Sequence, residues 1–195
     1  FQLDVMLETS QHMTCNRLAL MARRLAPVQA HYIGMHGTTG VPEIDYFIGD
    51  SWITPPEFAA QFTETLLPLS RTWVCYTPPD ILPALRSTPD KTPLRLGCFN
   101  NVSKISRTCM RLWSKILLEM PDALLIVKDS LRRGDADITD HQRALLNYLQ
   151  KRGISRERIQ IMPRTESWAS HMDLYNDIDI ALDTTPLASG TTAFD

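Results

Sequence analysis

Residues 94–127 read LRLGCFNNVSKISRTCMRLWSKILLEMPDALLIV, and this stretch decides the fold class. An apolar run at 94–99 is followed by a polar turn. Apolar residues then recur every three or four positions over 105–120, which predicts a helix that Pro121 ends. A second apolar run at 123–127 is typical of a strand buried on both faces. The stretch therefore predicts a β-α-β unit with parallel strands.

The sequence after this unit repeats the same alternation. Thr139 and Gln142 have the spacing of a capping box, and the helix that they begin ends before Gly153. A strand at 159–162, a short helix at 168–175 and a strand at 178–182 follow. The order β-α-β-α-β-α-β predicts a Rossmann-like, nucleotide-binding domain over residues 94–195.

The first half of the chain also alternates predicted strands and helices. It predicts strands at 3–7, 27–33, 45–49 and 72–76, and helices at 13–24 and 55–62. We interpret residues 1–77 as the C-terminal part of another Rossmann-like domain. Five prolines between 77 and 93 disfavour regular structure, so residues 78–93 are interpreted as a linker. The expected fold is α/β, with two Rossmann-like domains and mainly parallel sheets.

Composition excludes several classes of protein. The net charge is -2 and the pI is about 6.2, so no broad basic field indicates nucleic acid or an anionic membrane as a partner. None of the four cysteines forms a CxxC pair, and we expect buried thiols in a reducing, cytoplasmic environment.

The chain begins with Phe1 and stops just after an apparent helix start, so we expect an internal fragment that lacks other parts of the same polypeptide.

Two polar turns follow strands of the second domain, where open α/β sheets bind ligands. Residues 100–104 end in Lys104, which could hold a phosphate together with helix amides or could be a solvated lysine. Residues 183–192 contain Gly190, Thr191 and Thr192, which could cradle a diphosphate or could simply cap a helix. Both alternatives remain open at each turn.

Other candidate residues are less distinctive. Asp195 could accept hydrogen bonds from ribose hydroxyls, or could be an ordinary acid of a first helical turn. His171 lies near the same sheet edge, although a lone histidine is more often structural. The glycines of the 34–40 loop would let its backbone approach a sugar or phosphate. No metal-ligand spacing is visible. We expect no metal and no cofactor.

Six blocks of sequence, in order along nearly the whole chain, resemble the bacterial O-GlcNAc transferases of glycosyltransferase family 41. The blocks occupy residues 24–30, 37–40, 45–50, 71–76, 99–105 and 178–183, and the last leads to Thr191 and Thr192. The resemblance implies a GT-B fold, in which two Rossmann-like domains face a cleft. It also implies inverting, metal-free transfer of N-acetylglucosamine from UDP-GlcNAc to Ser or Thr of a protein acceptor. A TPR array often precedes the catalytic region in that family.

The resemblance also assigns roles to residues. Lys104 would be catalytic, stabilising charge on the leaving UDP, and Asn101 would face the donor phosphates. Thr191 and Thr192 would hold the diphosphate beside Gly190, Asp195 would bind the ribose, and His171 would lie beside the uracil. The loop containing Gly37, Thr38 and Thr39 would lie close to the donor sugar.

Three alternatives remain. Protein O-fucosyltransferases and N-glucosyltransferases share this architecture. A catalytically inactive domain that binds nucleotide or protein is a second alternative, since Ala188 and Ser189 replace a common Asn-Gly pair. An unrelated Rossmann-like protein is a third. We expect the isolated chain to be inactive in transfer.

Overall fold

The computed structural model describes residues 2–80, 82–86, 93–128 and 139–195. The chain divides into two compact units, Phe1–Tyr76 and Thr77–Asp195. Each unit contains a four-stranded parallel sheet, so the expected α/β class with mainly parallel sheets is confirmed. Residues 81 and 87–92 of the predicted linker lie outside the described residues, and the sequence-based domain boundaries stay a prediction.

The sheet of the first unit has the strand order β1-β2-β3-β4, with every neighbouring pair parallel. A short helix follows β1, and a 3-10 helix at Pro56–Gln61 precedes β4. The elements are β1 (Val5–Glu8), α1 (Leu18–Met21), β2 (Val28–Tyr32), β3 (Tyr46–Asp50) and β4 (Thr65–Leu69).

The predicted helix at 13–24 is wrong over most of its length. Only the four residues of α1 are helical, and Met21 is buried, whereas Leu25 is exposed. Cys15 and Arg24 adopt positive φ angles of 64° and 52°. This left-handed conformation interrupts the α-helical hydrogen-bond ladder, so the helix cannot extend to either side.

The predicted strand at 72–76 is also wrong, because the fourth strand is β4, and Pro68 lies within it. Pro68 pairs in register with Gly49 of β3. Proline lacks a backbone donor, and it is tolerated in β4 because this strand lies at the edge of the sheet.

Polar side chains from the sequence blocks at 24–30 and 45–50 hold the first unit together. The Arg24 guanidinium donates two hydrogen bonds, at 2.5 and 2.7 Å, to the carboxylate of Asp45. That carboxylate also accepts from the Gln29 backbone N–H at 2.8 Å. The hydrogen bonds from Arg24, the largest cause, and from Gln29 hold the pKa of Asp45 below its usual value. The buried Gln29 amide donates to the carbonyls of Met21 and Glu43.

The second unit follows the predicted β-α-β-α-β-α-β order. Its sheet has the strand order β7-β6-β5-β8, and every neighbouring pair is parallel. The elements are β5 (Arg95–Cys98), α2 (Arg107–Glu119), β6 (Leu124–Lys128), α3 (Asp140–Lys151), β7 (Ile159–Met162), α4 (Trp168–Asp173) and β8 (Ile180–Ala181). Two 3-10 helices, Val102–Lys104 and Thr191–Ala193, lie in the loops after β5 and β8.

One hydrophobic core joins the helices α2 and α3 to the sheet of the second unit. Trp113 and Leu117 of α2 and Leu145 and Leu149 of α3 are buried with Leu125 of β6. Burying each such leucine contributes about 1.5–3 kcal/mol. Other members of the predicted α2 stripe, Leu112 and Ile116, are exposed.

The helix termini are partly as the sequence predicts. The capping box of Thr139 and Gln142 is confirmed, and Gly153 follows α3 with φ of +85°. The predicted start of α2 at residue 105 is wrong, because Lys104 ends a separate 3-10 helix. Ser106 then caps α2, its Oγ accepting from the Cys109 N–H at 3.2 Å.

The prediction of buried cysteines is correct for two of the four. Cys98 and Cys109 are buried, whereas Cys15 and Cys75 are exposed, and none forms a disulfide. Burial raises the pKa of the Cys98 thiol to about 11. Its place in the core therefore makes it a small apolar side chain rather than a nucleophile.

Candidate nucleotide-binding site

The candidate site is a cavity of about 490 Å³ in the second unit, at the edge where the parallel strands have their carboxyl ends. The chain passes from β5 outward to β6 and β7, then returns so that β8 pairs with the other side of β5. Ligands of open α/β sheets bind at such a reversal of strand order. The lining residues are Phe99, Asn100, Asn101, Lys104, Lys128, Arg164, Thr165, Glu166, Ser167, Trp168, His171, Gly190, Thr191, Thr192 and Asp195.

The turn after β5 forms the first wall. Asn101 begins the 3-10 helix Val102–Lys104, and its side-chain oxygen accepts from the Ser103 N–H at 3.0 Å. Lys104 then extends to the loop after β8, where its Nζ donates to the carbonyl oxygen of Ala188 at 3.0 Å. The short helix therefore delivers one ammonium group to the point where the two loops meet.

The loop after β8 forms the second wall, and Asp183 organises it. The Oδ1 of Asp183 accepts from the N–H groups of Thr184 and Ser189, at 2.7 and 2.8 Å, and from the Asn100 amide at 3.1 Å. Desolvation alone would raise the pKa of Asp183, but these donors outweigh it and hold the pKa below its usual value. A charged Asp183 therefore joins both walls.

Helix α2 fixes the same loop from the other side. The Ser106 hydroxyl donates to the carbonyl of Thr185 at 2.5 Å. The buried Cys109 thiol lies 3.1 Å from that carbonyl and 3.0 Å from the Thr185 nitrogen. Ser106 thus caps its helix and anchors the loop, which gives this serine a structural role.

Gly190, Thr191 and Thr192 lie where the loop borders the cavity. Thr191 and Thr192 belong to a 3-10 helix, and Asp195 donates its N–H to the Thr191 carbonyl at 3.2 Å. A Cβ placed on Gly190 would meet nothing within 4 Å. The protein itself therefore leaves open space at Gly190, where a ligand could approach the backbone closely.

Lys128 and His171 form the third wall. Lys128 is the last residue of β6 and is 3% exposed, and its Nζ lies 2.9 Å from the Nδ1 of His171. Burial, the largest cause, and the charge of Lys128 lower the pKa of His171, whereas Asp195 opposes the change. Burial and the charge of Lys128 therefore both favour the neutral imidazole.

The charges of the cavity favour an anionic ligand. Among the residues that the structure describes, its lining holds three cationic side chains (Lys104, Lys128 and Arg164) and two carboxylates (Glu166 and Asp195). Lysine and arginine are the side chains that proteins use to bind phosphate. A cavity of this volume also lies within the range of about 300–1,000 Å³ that holds small-molecule ligands.

The cavity brings together most of the residues singled out in the sequence, and these lie on two loops and one helix. They are Asn101, Lys104, His171, Gly190, Thr191, Thr192 and Asp195. Sequence reasoning missed Phe99, Lys128, Arg164 and Trp168, which also line the cavity. Lys128 and Arg164 could have been found by inspecting the carboxyl end of every predicted strand rather than of two.

Gly37, Thr38 and Thr39 lie in the first unit, in a loop with its own hydrogen bonds. The Glu64 carboxylate accepts from the Thr38 hydroxyl at 2.7 Å and from both the backbone N–H and the hydroxyl of Thr39. The Gln11 amide donates to the carbonyls of Gly37 and Thr38. Thr39 is buried, so its side chain stabilises the loop, while Gly37 is exposed.

No helix in the described part of the chain is long and apolar enough to cross a membrane. Within the same residues, no group of three or more His, Cys, Asp or Glu side chains is arranged to hold a metal ion.

Comparison with known proteins gives a consistent family. Residues 3–92 match the model of glycosyl transferase family 41. The chain is 35% identical to a protein of Petunia hybrida named probable UDP-N-acetylglucosamine–peptide N-acetylglucosaminyltransferase SPINDLY, over 98% of this chain and 20% of that protein. The SPINDLY protein of Arabidopsis thaliana is 34% identical, over 98% of this chain and 21% of its own length. The chain thus spans about a fifth of the length of these relatives.

Solved structures of O-GlcNAc transferases have a fold similar to that of this chain. An O-GlcNAc transferase mutant of Thermobaculum terrenum has a TM-score of 0.86 and 34% identity, over 97% of this chain and 35% of that one. This match confirms the expected GT-B-type fold class. The pneumococcal O-GlcNAc transferase GtfA, with a TM-score of 0.52 and 12% identity, shares the fold alone. Residues 3–92 therefore match glycosyl transferase family 41, and both units of the chain are similar to proteins named as N-acetylglucosaminyltransferases and O-GlcNAc transferases.

Proposed function

We propose that this chain provides the donor site of a glycosyltransferase that moves N-acetylglucosamine from UDP-GlcNAc to Ser or Thr hydroxyls of proteins. One observation carries the proposal. Lys104 from the turn after β5 and the loop containing Thr191 and Thr192 after β8 line one cavity at the reversal of strand order. The relatives named UDP-N-acetylglucosamine–peptide N-acetylglucosaminyltransferases support this identification of the donor and the acceptor.

The diphosphate is proposed to bind between Lys104 and the 190–192 turn. There the Lys104 ammonium would exchange its hydrogen bond with the Ala188 carbonyl for one with a phosphate oxygen. A charged acceptor makes the stronger hydrogen bond, so the exchange is favourable. Asn101 borders the same space. Asp195 and His171, farther along the cavity lining, are proposed to hold the ribose and the base.

The proposed transfer is a single displacement with inversion. The acceptor hydroxyl oxygen forms a bond to C1 of the sugar while the bond from C1 to the diphosphate oxygen breaks, and the hydroxyl proton passes to solvent water. The electron pair of the broken bond stays on the leaving phosphate. Lys104 would stabilise that growing charge, and removing such a donor typically costs about 10²–10³ in rate.

Several wider features remain part of the proposal. Transfer without a metal ion is one, and activity that persists in a chelator would support it. A protein acceptor, a TPR array that selects it and a cytoplasmic location are others. The chain spans about a fifth of its curated relatives, so we assign to it donor binding and charge stabilisation rather than acceptor choice.

A donor panel tests the proposed reaction. A longer polypeptide that contains this chain is incubated with a Ser- and Thr-containing peptide library and UDP-GlcNAc, UDP-glucose or GDP-fucose, because we expect the isolated chain to be inactive in transfer. Mass spectrometry measures the added sugar. We expect a mass gain of N-acetylhexosamine with UDP-GlcNAc alone. Transfer from GDP-fucose or UDP-glucose would replace the proposed donor. Nucleotide binding without any transfer would instead favour a binding domain.

A further inference from the structure

Lys128 is a buried lysine that the proposed transfer does not use. It ends the central strand β6, is 3% exposed, and lines the cavity beside His171. Lysine is almost never buried to this degree unless it is paired, because removing its charge from water is costly. Its Nζ lies 2.9 Å from the Nδ1 of His171, which is the length of a good hydrogen bond.

The direction of this hydrogen bond follows from the two groups. Burial and then the positive charge of Lys128 lower the pKa of His171, so the proton of this pair stays on the lysine ammonium. An ammonium is a donor with no lone pair, and the Nδ1 of His171 must therefore accept. A neutral imidazole that accepts at Nδ1 carries its hydrogen on Nε2.

We propose that Lys128 is a positioning residue that fixes His171 as the neutral, Nε2-protonated tautomer, so that the imidazole offers one hydrogen-bond donor to an oxygen of the bound nucleotide. The inference deepens the proposed function and rests on its donor site. It concerns Lys128 acting through His171 and assigns no direct contact between Lys128 and the ligand.

The surroundings of His171 support a fixed imidazole. The rings of Phe99 and Tyr175 flank it, with centroids 5.9 and 5.6 Å from the imidazole centroid. Phe99 directly follows β5, and Tyr175 lies in the segment after α4. Two different parts of the fold therefore limit the movement of the imidazole. Their contacts orient the ring plane, and the hydrogen bond from Lys128 then decides which nitrogen carries the hydrogen.

The charged groups around His171 shift its pKa in opposite directions. Lys128 disfavours a protonated imidazole, and Asp195 favours one. Arg164 and Glu166 line the same cavity. Replacing Lys128 by an uncharged residue removes one of the two causes that lower the pKa and leaves the opposing Asp195. His171 should then protonate at a higher pH, and its two neutral tautomers should mix.

The test is nitrogen NMR of the His171 ring in the protein without nucleotide, with the His171→Gln variant assigning the signal. The wild-type spectrum should show hydrogen on Nε2 and a hydrogen-bond acceptor at Nδ1. In Lys128→Met, which removes the ammonium group but keeps an unbranched side chain of similar length, the tautomers should mix and the pKa of His171 should rise. Lys128→Arg should retain the wild-type tautomer. Hydrogen on Nδ1 in the wild type would overturn the proposal without any variant.

A double-mutant cycle with UDP separates positioning from direct contact. Lys128→Met should weaken UDP binding about threefold to tenfold, as expected for a lost hydrogen bond. In a His171→Gln background the same change should have no further effect. An equal loss in both backgrounds would mean that Lys128 acts on the ligand directly. If the wild type binds no UDP, the proposed function fails, whereas the NMR result still decides the role of Lys128.

Discussion

The Nζ of Lys104 lies 3.0 Å from the carbonyl oxygen of Ala188, so one side chain bridges the turn after β5 and the loop after β8. These two segments are 84 residues apart in sequence. They meet because β8 pairs with β5 at the reversal of strand order. The fold therefore holds an ammonium group beside the 190–192 turn before any ligand binds, and a phosphate there would find a preorganised cation.

The first prediction concerns this cation. Lys104→Ala should leave the fold intact, because Lys104 is only partly buried, and should weaken UDP binding and lower transfer by about 10²–10³. Calorimetry on this chain measures binding, and a transfer assay on a longer polypeptide that contains the chain measures the rate. Lys115→Ala, an exposed lysine of α2, is the matched control and should change neither. Unchanged turnover in Lys104→Ala would remove the proposed role of this residue.

A second prediction uses the open space at Gly190. The Cβ of Gly190→Val would lie more than 4 Å from every atom beyond the two adjacent residues, so the thermal midpoint should change little. The added methyl groups would occupy the cavity that we assign to the diphosphate, and UDP affinity should fall at least about tenfold, as for a steric clash costing more than about 1.4 kcal/mol. Differential scanning calorimetry measures the thermal midpoint, and nucleotide titration measures the UDP affinity. Full UDP affinity in a folded Gly190→Val variant would place the diphosphate elsewhere.

The third prediction concerns pH and Asp183. Its pKa is lowered in the folded protein, so the charged carboxylate stabilises the fold above the unfolded pKa of about 3.9. That stabilisation is lost as the pH falls through the folded pKa. Asp183→Asn should therefore melt a few degrees below the wild type at pH 7, and the difference should shrink below about pH 4. A difference in melting temperature between wild type and Asp183→Asn that stays constant from pH 3 to pH 7 would contradict this role.

A fourth prediction concerns the close packing of Gly97 in β5. A Cβ on Gly97 would lie 2.5 Å from Cγ2 and 2.7 Å from Cδ1 of Ile178. Gly97→Ala should therefore lower the free energy of unfolding of the second unit by about 1–3 kcal/mol. Gly37→Ala, at a glycine with no atom near the added Cβ, is the control and should have a smaller effect. Equal stability of both variants in urea would show that the sheet adjusts freely around β5.

Local signals explain why the second unit could be predicted. Its strands are apolar runs, Pro121 and Gly153 mark helix ends, and Thr139 begins α3 through contacts within three residues. The two polar turns could be placed at one sheet edge because all the strands of a parallel sheet end there. The positions of Lys104, Thr191 and Asp195 around one cavity follow from that rule.

The features that sequence reasoning missed depend on nonlocal contacts or backbone angles. The short α1 reflects positive φ at Cys15 and Arg24, residue types that give no such signal. The edge position of β4, which permits Pro68, is a property of the whole sheet. The Thr39–Glu64 hydrogen bonds join residues 25 apart, and the Lys128–His171 contact joins residues 43 apart. Neither pair has a spacing that a helix or a strand would reveal.

The most direct test of the donor site is a calorimetric titration of the folded protein with UDP and, separately, with ADP. The proposed site predicts saturable binding of UDP, weaker binding of ADP, and weaker binding of UDP in Lys104→Ala. A folded protein that binds neither nucleotide, or that binds UDP equally well after Lys104→Ala, would contradict the assignment of this cavity as the donor site.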